Sequence, residues 1–327
     1  MTLDFSIIVP VYNRPDEIDE LLQSLVNQTD KNFEVLIIED GSKISCEHIC
    51  KKYYEFLNLK YFFKENSGRS QTRNYGMERA SGNYFLIFDS DCILPKQYIE
   101  TVRKKLTNNY VDCFGGPDSA DSNFSDMQKS INYSMTSFFT TGGIRGGTTN
   151  SGKFSPRSFN MGISKDVFQK IGGYKNMIGE DIDLSIRIKA AGFKTALIKD
   201  AFVFHKRRVN LKSFFRQVNT FGKGRILLNK LHKGSLKTVH LLPVCFVLGH
   251  ILLLILALII KNLYILSPIL LFVIVIFLDS LLKNRSVKIA AFSILTSYTQ
   301  LFGYGLGMLS EFFTKKASRK TQEELYK

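Results

Sequence analysis

The sequence has few cysteines, and their spacing excludes two common kinds of stabilising site. Its five cysteines are odd in number and lack zinc-ligand spacing: Cys46, Cys50, Cys92, Cys113 and Cys245. Cys46 and Cys50 lie four residues apart, but no second pair completes a zinc site. The odd number of cysteines does not favour a disulfide framework either. We therefore expect reduced, structural thiols, as is usual in the cytoplasm.

Acidic residues are absent from one long stretch, and that stretch precedes the most apolar part of the chain. Residues 201–240 hold ten Lys or Arg and no Asp or Glu. Two apolar runs follow, at 240–260 and 263–282. Each is about 20 residues long, which is enough to cross a bilayer. A basic flank beside a span is the positive-inside pattern, which predicts that the flank is cytoplasmic. Such a flank favours anionic lipid or phosphate ligands, so we expect no nucleic-acid partner.

A third run, 287–313, is a weaker membrane segment, because it holds Ser, Thr, Gln and the glycines of GYGLGM. Three spans would place the basic tail, 314–327, outside the cytoplasm, against the positive-inside rule. A re-entrant or interfacial third segment avoids this, and the sequence leaves both possibilities open. The N-terminus has an acid at position 4 and no basic region before its first apolar run, so we do not expect a signal peptide. These features predict a multi-pass protein of the inner (cytoplasmic) membrane, with the region before residue 240 facing the cytoplasm.

The N-terminal region alternates buried strands with amphipathic helices. Strands are predicted at 5–11, 33–42, 59–65 and 84–91. This alternation predicts a parallel sheet covered by helices on both faces. Each strand stops on polar residues at its carboxyl end, where ligands bind in open α/β sheets. Asn13, Asp40, Asp89 and Asp91 should therefore converge on one crevice.

Residues 114–160 are rich in Gly, Ser and Thr, and the segment is too long for a passive connection. Arginine and aromatic residues are interleaved in it, which favours loops that order around a substrate over a flexible linker. These residues are Phe138, Phe139, Arg145, Arg157 and Phe159. Further along, Glu180 and Asp181 open a predicted helix, a position where acids ordinarily complement the helix dipole.

Six motifs, in order within residues 4–230, together carry a family resemblance. They are SIIVPVYNR, IIEDGS, GRSQTRNYG, FDSD, FNMGISKDVFQKIGGY and GEDIDLSIRIKAAGFK. With these motifs the chain resembles glycosyltransferase family 2 enzymes of the GT-A fold. The resemblance implies a Rossmann-like α/β fold with a mixed, mostly parallel sheet and helices on both faces. Transmembrane helices at the C-terminus would follow this domain.

The resemblance implies that the substrate is a nucleotide-diphosphate sugar bound with a metal ion. Asp91 would ligate Mg²⁺ or Mn²⁺, and Asp89 would contact the ribose or assist the ion. A hard divalent cation suits this reaction because breaking the anomeric bond leaves additional charge on the diphosphate.

The nucleotide would be held by residues at the first strand ends. By resemblance, four consecutive residues would cradle the nucleoside: Pro10, Val11, Tyr12 and Asn13. Asp40 would accept a hydrogen bond from the base, which suggests a UDP- or GDP-sugar. Arg73 would meet the base or a phosphate; the alternative for this residue is an arginine on the helix surface.

The chemical step would be carried by the GEDID motif. By resemblance, Asp181 is the general base that takes a proton from the acceptor hydroxyl in an inverting displacement, with Glu180 in support. His205 follows a predicted last strand and is either structural or part of a phosphate or metal site. Arg208 and Arg225 are candidates to stabilise the departing diphosphate. Processive relatives carry Gln-x-x-Arg-Trp here, whereas this chain has RQVNTFGKGR and no tryptophan, which argues against processive synthesis.

The sequence thus predicts a catalytic domain at 1–210, a basic amphipathic interfacial helix region at 211–239, membrane segments at 240–313 and a basic tail at 314–327. The leading interpretation is an inverting glycosyltransferase acting on a lipid or lipid-linked saccharide in cell-envelope glycan synthesis. Two alternatives stay open. One is a polyprenyl-phosphate glycosyltransferase, which the intact GEDID motif slightly disfavours. The other is a non-catalytic nucleotide-sugar-binding membrane scaffold.

Overall fold

The computed structural model describes residues 2–119, 124–143, 155–205 and 210–314. These residues form two compact units. The first unit takes 2–119 and 155–205, and the second takes 124–143 and 210–314. The expected domain at 1–210 therefore differs from the structure, because residues 124–143 pack with the C-terminal helices. Arg145 and Arg208 lie outside the described residues.

The first unit is built on a mixed, mostly parallel sheet, as predicted. The strands of its main sheet are β1 (Phe5–Val11), β2 (Phe33–Asp40), β3 (Asn58–Lys64), β4 (Tyr84–Phe88), β6 (Cys113–Gly115), β8 (Asn160–Ser164) and β9 (Thr195–Leu197). Their order is β3-β2-β1-β4-β8-β6-β9. β8 runs antiparallel to both of its neighbours, and the other pairs are parallel.

Helices cover both faces of this sheet. They are α1 (Pro15–Val26), α2 (Glu47–Cys50), α3 (Arg69–Arg79), α4 (Tyr98–Asn108), α7 (Lys165–Ile171) and α8 (Glu180–Ala190). Side chains alternate between the faces along each strand. Val35 and Ile37 join one apolar cluster, whereas Leu36 and Ile38 join the other. Burial on both faces explains why β2 reads as a continuous apolar run.

A second, three-stranded sheet brings distant parts of the chain together at the end of β4. Its strands are β5 (Cys92–Ile93), β7 (Asp118–Ser119) and β10 (Val203–His205), in the order β5-β10-β7. β10 pairs antiparallel with β5, so that His205 lies opposite Cys92. Asn160 supports this return, because its buried amide accepts a hydrogen bond from Tyr98 and donates to the Ala201 carbonyl at 2.9 Å.

The second unit is helical. Its helices are α5 (Asp126–Thr136), α6 (Phe138–Thr141), α9 (Leu211–Leu231), α10 (Leu242–Ile260), α11 (Ser267–Asn284) and α12 (Val287–Phe313), with short 3-10 turns at Thr238–Leu241 and Leu263–Leu266. The central helix is α12, which packs against α5, α9, α10 and α11. A capping box of Ser125 and Gln128 begins α5, and Asn210 caps α9.

The glycines of GYGLGM allow close helix packing. A Cβ on Gly307 would lie 2.1 Å from the Asn219 carbonyl oxygen of α9. A Cβ on Gly305 would lie 2.5 Å from the Pro243 carbonyl oxygen of α10. Only glycine permits backbones to approach this closely, so these residues fix where α9 and α10 cross α12.

Part of the apolar face of α9 is covered within the second unit. Phe214 and Val218 are buried and pack with Ile131 and Met135 of α5. The sequence suggested that this face lies on a membrane as an interfacial helix. α5 packs on Phe214 and Val218, whereas Phe215 is 38% exposed and Leu231 is 58% exposed, so contact of the 211–239 region with a lipid surface stays a prediction.

Among the described residues, two helices are long and apolar enough to span a membrane, Thr238–Ile260 and Leu263–Asn284. In an apolar 18-residue stretch of each helix, 11% of the residues are buried. The segment α12 does not meet the same criteria, and many of its residues are buried by the surrounding helices.

Candidate functional site

Polar residues lie at three strand ends in the first unit. Asp40 ends β2, Asp89 and Asp91 follow β4, and His205 ends β10. Because β5 pairs with β10, His205 Nε2 lies 3.0 Å from Asp91 Oδ1. The chemistry of the site begins from this contact between a carboxylate and an imidazole.

Asp91, Cys92 and His205 form the group in the described residues whose potential ligand atoms all lie within 4.8 Å of one another. The Cys92 thiol is an unsuitable member. Burial first, and then the charges of Asp91 and Asp89, hold its pKa well above the usual range, and it donates to the Phe159 carbonyl at 3.4 Å. A carboxylate oxygen and an imidazole nitrogen remain, and this donor set fits Mg²⁺ or, better, Mn²⁺.

Two neighbours orient this pair. Arg14 Nη1 lies 3.2 Å from Asp91 Oδ2 and 2.6 Å from Glu17. The Phe159 ring stacks on His205 with centroids 4.9 Å apart and an angle of 12° between the planes. The stacking fixes the imidazole plane, which keeps Nε2 directed at Asp91.

A chain of ion pairs joins Asp89 to the first residue of α8. Arg73 donates from Nη2 to Asp89 Oδ1 at 2.6 Å and from Nη1 to Glu180 Oε1 at 3.1 Å. Arg69 completes the chain, with Nη2 2.8 Å from Glu180 Oε2. Burial lowers the pKa of Arg73, but the charges of Asp89 and Glu180 outweigh it and raise the pKa, so the guanidinium stays charged.

The environment of Arg73 decides one of its two predicted roles. The side chain is 1% exposed and its guanidinium is paired with Asp89 and Glu180, so the alternative of a surface arginine is wrong. A contact with the base or a phosphate stays a prediction. Arg73 is buried between two acids, Asp89 after β4 and Glu180 of α8, and its guanidinium compensates the charge of both.

Asp181 follows Glu180 in the first turn of α8, after Gly179 in the left-handed region at φ 79°. Its Oδ1 accepts from the Ile182 amide at 2.8 Å, and its Oδ2 lies 3.4 Å from Arg157 Nη1. Burial raises the pKa of Asp181, but the charges of Arg157 and Arg69 and the Ile182 amide outweigh burial and lower it. The carboxylate is therefore ionised at neutral pH, the form that a general base requires.

Asp40 has partners of its own. Its carboxylate accepts from Lys64, from the Ser67 amide at 2.9 Å and from the Gly68 amide at 2.9 Å. These bonds hold the loop that leads into α3. A hydrogen bond to a nucleotide base would use a remaining lone pair of the carboxylate or displace Lys64, so the expected contact stays a prediction.

The nucleoside cradle is predicted at the end of β1, where side-chain hydrogen bonds hold a tight turn, and its role stays a prediction. Asn13 adopts φ 54°, a conformation that few residues other than glycine accept. Its side-chain Oδ1 accepts a hydrogen bond from the Lys43 backbone amide at 2.7 Å, and its backbone amide donates to Ser42 Oγ at 2.8 Å. The preceding Tyr12 is 47% exposed, which leaves its ring open to a ligand, whereas Val11 is buried and Pro10 partly buried.

Arg225 belongs to the second unit. Its Nε lies 3.3 Å from the Tyr304 hydroxyl, across the packed pair α9 and α12. The expected role of Arg225 at a departing diphosphate therefore remains a prediction.

Sequence reasoning missed four residues of the site: Arg14, Arg69, Arg157 as a partner of Asp181, and Phe159 as a partner of His205. Arg14 and Arg69 lie within the quoted motifs YNR and GRS. Arg14 follows the end of β1 and Arg69 opens α3, but motif position alone does not specify a partner across the fold.

The fold and this acidic site define a class of enzyme, a glycosyltransferase of the GT-A type. The model of the family described as glycosyl transferase family 2 matches residues 6–172. The chain belongs to this family.

Two relatives and one solved structure illustrate the similarity. Glycosyltransferase AglE of Haloferax volcanii is 26% identical over 269 residues, which is 76% of this chain and 82% of that protein. Minor teichoic acid biosynthesis protein GgaB of Bacillus subtilis is 27% identical over 251 residues, which is 71% of this chain and 27% of that protein. The mannosyltransferase PcManGT of Pyrobaculum calidifontis, in complex with GDP-Man and Mn²⁺, superimposes with a TM-score of 0.65. It is 15% identical, with 92% of this chain and 88% of that chain covered, and it shows the fold alone.

Four further curated glycosyltransferases align over 104–108 residues at 36–42% identity. The aligned part is 15–17% of their own length. The similarity to these larger proteins therefore covers one part of each.

Proposed function

We propose that this glycosyltransferase is membrane-anchored and metal-dependent, and that it inverts the configuration of the transferred sugar. The donor is a UDP- or GDP-sugar, and the acceptor is a hydroxyl of a lipid or lipid-linked saccharide. The observation that carries the proposal is an ionised Asp181 separate from the Asp91–His205 pair. The ion pairs of Arg73 join these two parts of one site.

Asp91 and His205 are the residues that would hold the metal ion, with Asp89 beside them. When bound, a divalent cation neutralises the charge that develops on the leaving diphosphate. Support comes from the donor set and from the related fold of PcManGT, which was solved with GDP-Man and Mn²⁺. Arg14 adds a positive charge next to Asp91, where it would also face the diphosphate.

Asp181 would act on the acceptor. An ionised carboxylate takes the proton from the attacking hydroxyl while the anomeric carbon becomes oxocarbenium-like, so a weak base suffices. Glu180 lies 2% exposed between Arg69 and Arg73, and it would position the first turn of α8 rather than move a proton. A phosphate acceptor needs little base catalysis, so the ionised Asp181 favours a hydroxyl acceptor over polyprenyl phosphate.

The C-terminal region would insert as a helical hairpin. The helices Thr238–Ile260 and Leu263–Asn284 would form two spans. An even number of spans returns the chain to the same side, so α12 and the basic tail would share the side of the basic flank at 201–240. This topology agrees with the positive-inside rule and would place the catalytic unit at the cytoplasmic face of the inner membrane.

The relative GgaB is named for minor teichoic acid biosynthesis, which supports a role in assembly of a cell-envelope glycan. Together with the apolar hairpin, this favours an acceptor that is itself held in the membrane. The donor would be delivered from the aqueous side.

The test is a transfer assay. Purified protein in vesicles is incubated with Mn²⁺, a panel of nucleotide sugars and extracted membrane lipids, including polyprenyl phosphate, and products are identified by mass spectrometry. We expect a glycosylated hydroxyl product that is lost in Asp91→Ala and Asp181→Asn. The matched control is Asp200→Asn, since Asp200 is an exposed acid paired with Lys105 at 3.0 Å. Glycosylation of polyprenyl phosphate alone would contradict the hydroxyl acceptor, and donor binding without turnover would indicate a scaffold.

A further inference from the structure

The short helix α6 presents two aromatic rings on the surface of the second unit. Phe138 is 67% exposed and Phe139 is 46% exposed. The rings meet edge to face, with centroids 5.9 Å apart and 82° between the planes. Adjacent exposed aromatic side chains are unfavourable in water and usually mark an interaction surface.

This aromatic pair lies at one end of the first apolar helix. Gly142 ends α6 at φ 60°, and a Cβ on it would lie 2.5 Å from Val239 Cγ2 and 3.3 Å from Leu242 Cδ1. Val239 and Leu242 belong to the first turns of the Thr238–Ile260 helix. The exposed rings therefore adjoin the point where the apolar helix begins.

The surroundings have the composition of a membrane interface. Leu241 and Leu242 are 39% and 52% exposed, which extends the apolar surface from the helix toward α6. Three exposed lysines precede the helix in the sequence: Lys230, Lys233 and Lys237. Lysines at the end of an apolar helix are typical of the headgroup layer, because an apolar stem carries a charged tip. Exposed phenylalanine rings fit the apolar side of interfacial segments, which is buried at the boundary between headgroups and acyl chains.

We propose that Phe138 and Phe139 form a membrane-interface anchor, whose partner is the headgroup boundary of an anionic lipid bilayer. The anchor fixes the depth at which Thr238–Ile260 enters the bilayer. It also explains why part of the Gly/Ser/Thr-rich segment 114–160 packs with the C-terminal helices. The proposal rests on membrane insertion of the apolar hairpin, as proposed above.

The absence of tryptophan from the chain permits a direct test. Three single-tryptophan variants of the full chain are reconstituted in phosphatidylcholine–phosphatidylglycerol vesicles with lipids brominated at shallow or deep chain positions. Phe138→Trp reports on the proposed anchor. Leu252→Trp, at a 56% exposed position of α10, reports on the span, and Phe56→Trp, at a 63% exposed position of the first unit, reports on an aqueous surface.

We expect shallow bromines to quench Phe138→Trp emission by about half, and deep bromines to quench it less, as for aromatic side chains at an interface. Leu252→Trp should be quenched most by deep bromines and Phe56→Trp by neither. If Phe138→Trp behaves like Phe56→Trp while Leu252→Trp is quenched, the anchor is refuted and membrane insertion stands. If Leu252→Trp is not quenched, insertion itself is refuted.

A double variant, Phe138→Ser with Phe139→Ser, separates membrane binding from binding of an acceptor. Far-UV circular dichroism first confirms that it folds. We expect a shift of the Leu252→Trp quenching profile in this background, because the depth of the helix is no longer fixed, and no change in transfer to a water-soluble acceptor analogue. An unchanged profile together with weaker transfer to the soluble analogue would contradict the anchor and assign the rings to the acceptor.

Discussion

Replacing Arg73 with glutamine should destabilise the region where the two parts of the site meet. The substitution removes one buried cation from two carboxylates, at 2.6 Å from Asp89 and 3.1 Å from Glu180. Breaking a buried pair in this way costs about 3–5 kcal/mol. Asp89 is 33% exposed and Glu180 keeps Arg69, so we expect the lower end, about 3 kcal/mol.

Hydrogen exchange measures this effect locally, which avoids treating the two units as one unfolding transition. A loss of about 3 kcal/mol lowers the protection of amides in α3 and α8 about 100-fold. Arg73→Lys should fall between glutamine and wild type, because one ammonium keeps the charge but cannot form the planar bridge.

The matched control is Arg79→Gln on the same helix, where the side chain is 38% exposed and bonds the Tyr75 carbonyl at 3.2 Å. It should change protection by less than about 0.5 kcal/mol. Equal protection in the Arg73 and Arg79 variants would refute the reasoning, because the ion-pair chain would then contribute nothing to holding α8.

Three further predictions follow from the site and the helices. Asp181→Asn should lower kcat by about 10²–10⁴-fold with little change in donor affinity, as measured by donor turnover and nucleotide binding, since it removes the general base. Because Arg157 helps to lower the pKa of Asp181, Arg157→Gln should raise that pKa and move the acid limb of the kcat/KM profile to higher pH; an unmoved limb would contradict the role of Arg157. Gly307→Ala should destabilise the second unit by about 1–3 kcal/mol in thermal unfolding, because its Cβ meets the Asn219 carbonyl. Gly249→Ala in α10 has nothing within 4 Å of the added Cβ and should cause no loss.

Local patterns were sufficient for the first strands of the first unit. The strand predicted at 5–11 is observed at Phe5–Val11, and the strand predicted at 33–42 ends at Asp40. Both are buried runs bounded by polar residues, and the helix opened by Glu180 was likewise predicted. In these cases the apolar pattern of an element and the turn residues that bound it lie within a few sequence positions of one another.

Contacts between distant segments could not be read in the same way. His205 meets Asp91 because β10 pairs with β5, and nothing local to either strand specifies that pairing. Arg73 has the spacing of a surface arginine on α3, yet it is buried because acids arrive from β4 and α8. Phe214 and Val218 of α9 likewise have two possible partners, a bilayer or other helices, and only the packing of α5 shows that they meet helices.

The central claim is that Asp91 holds a catalytic metal ion, and it is tested most directly by Mn²⁺ binding together with transfer in one preparation. Electron paramagnetic resonance of Mn²⁺ with UDP or GDP present reports binding, and mass spectrometry reports transfer. We predict that wild-type protein and Asp200→Asn bind Mn²⁺ and transfer sugar, that a chelator stops transfer, and that Asp91→Ala loses both. Transfer that survives both the chelator and Asp91→Ala would contradict the metal-dependent mechanism.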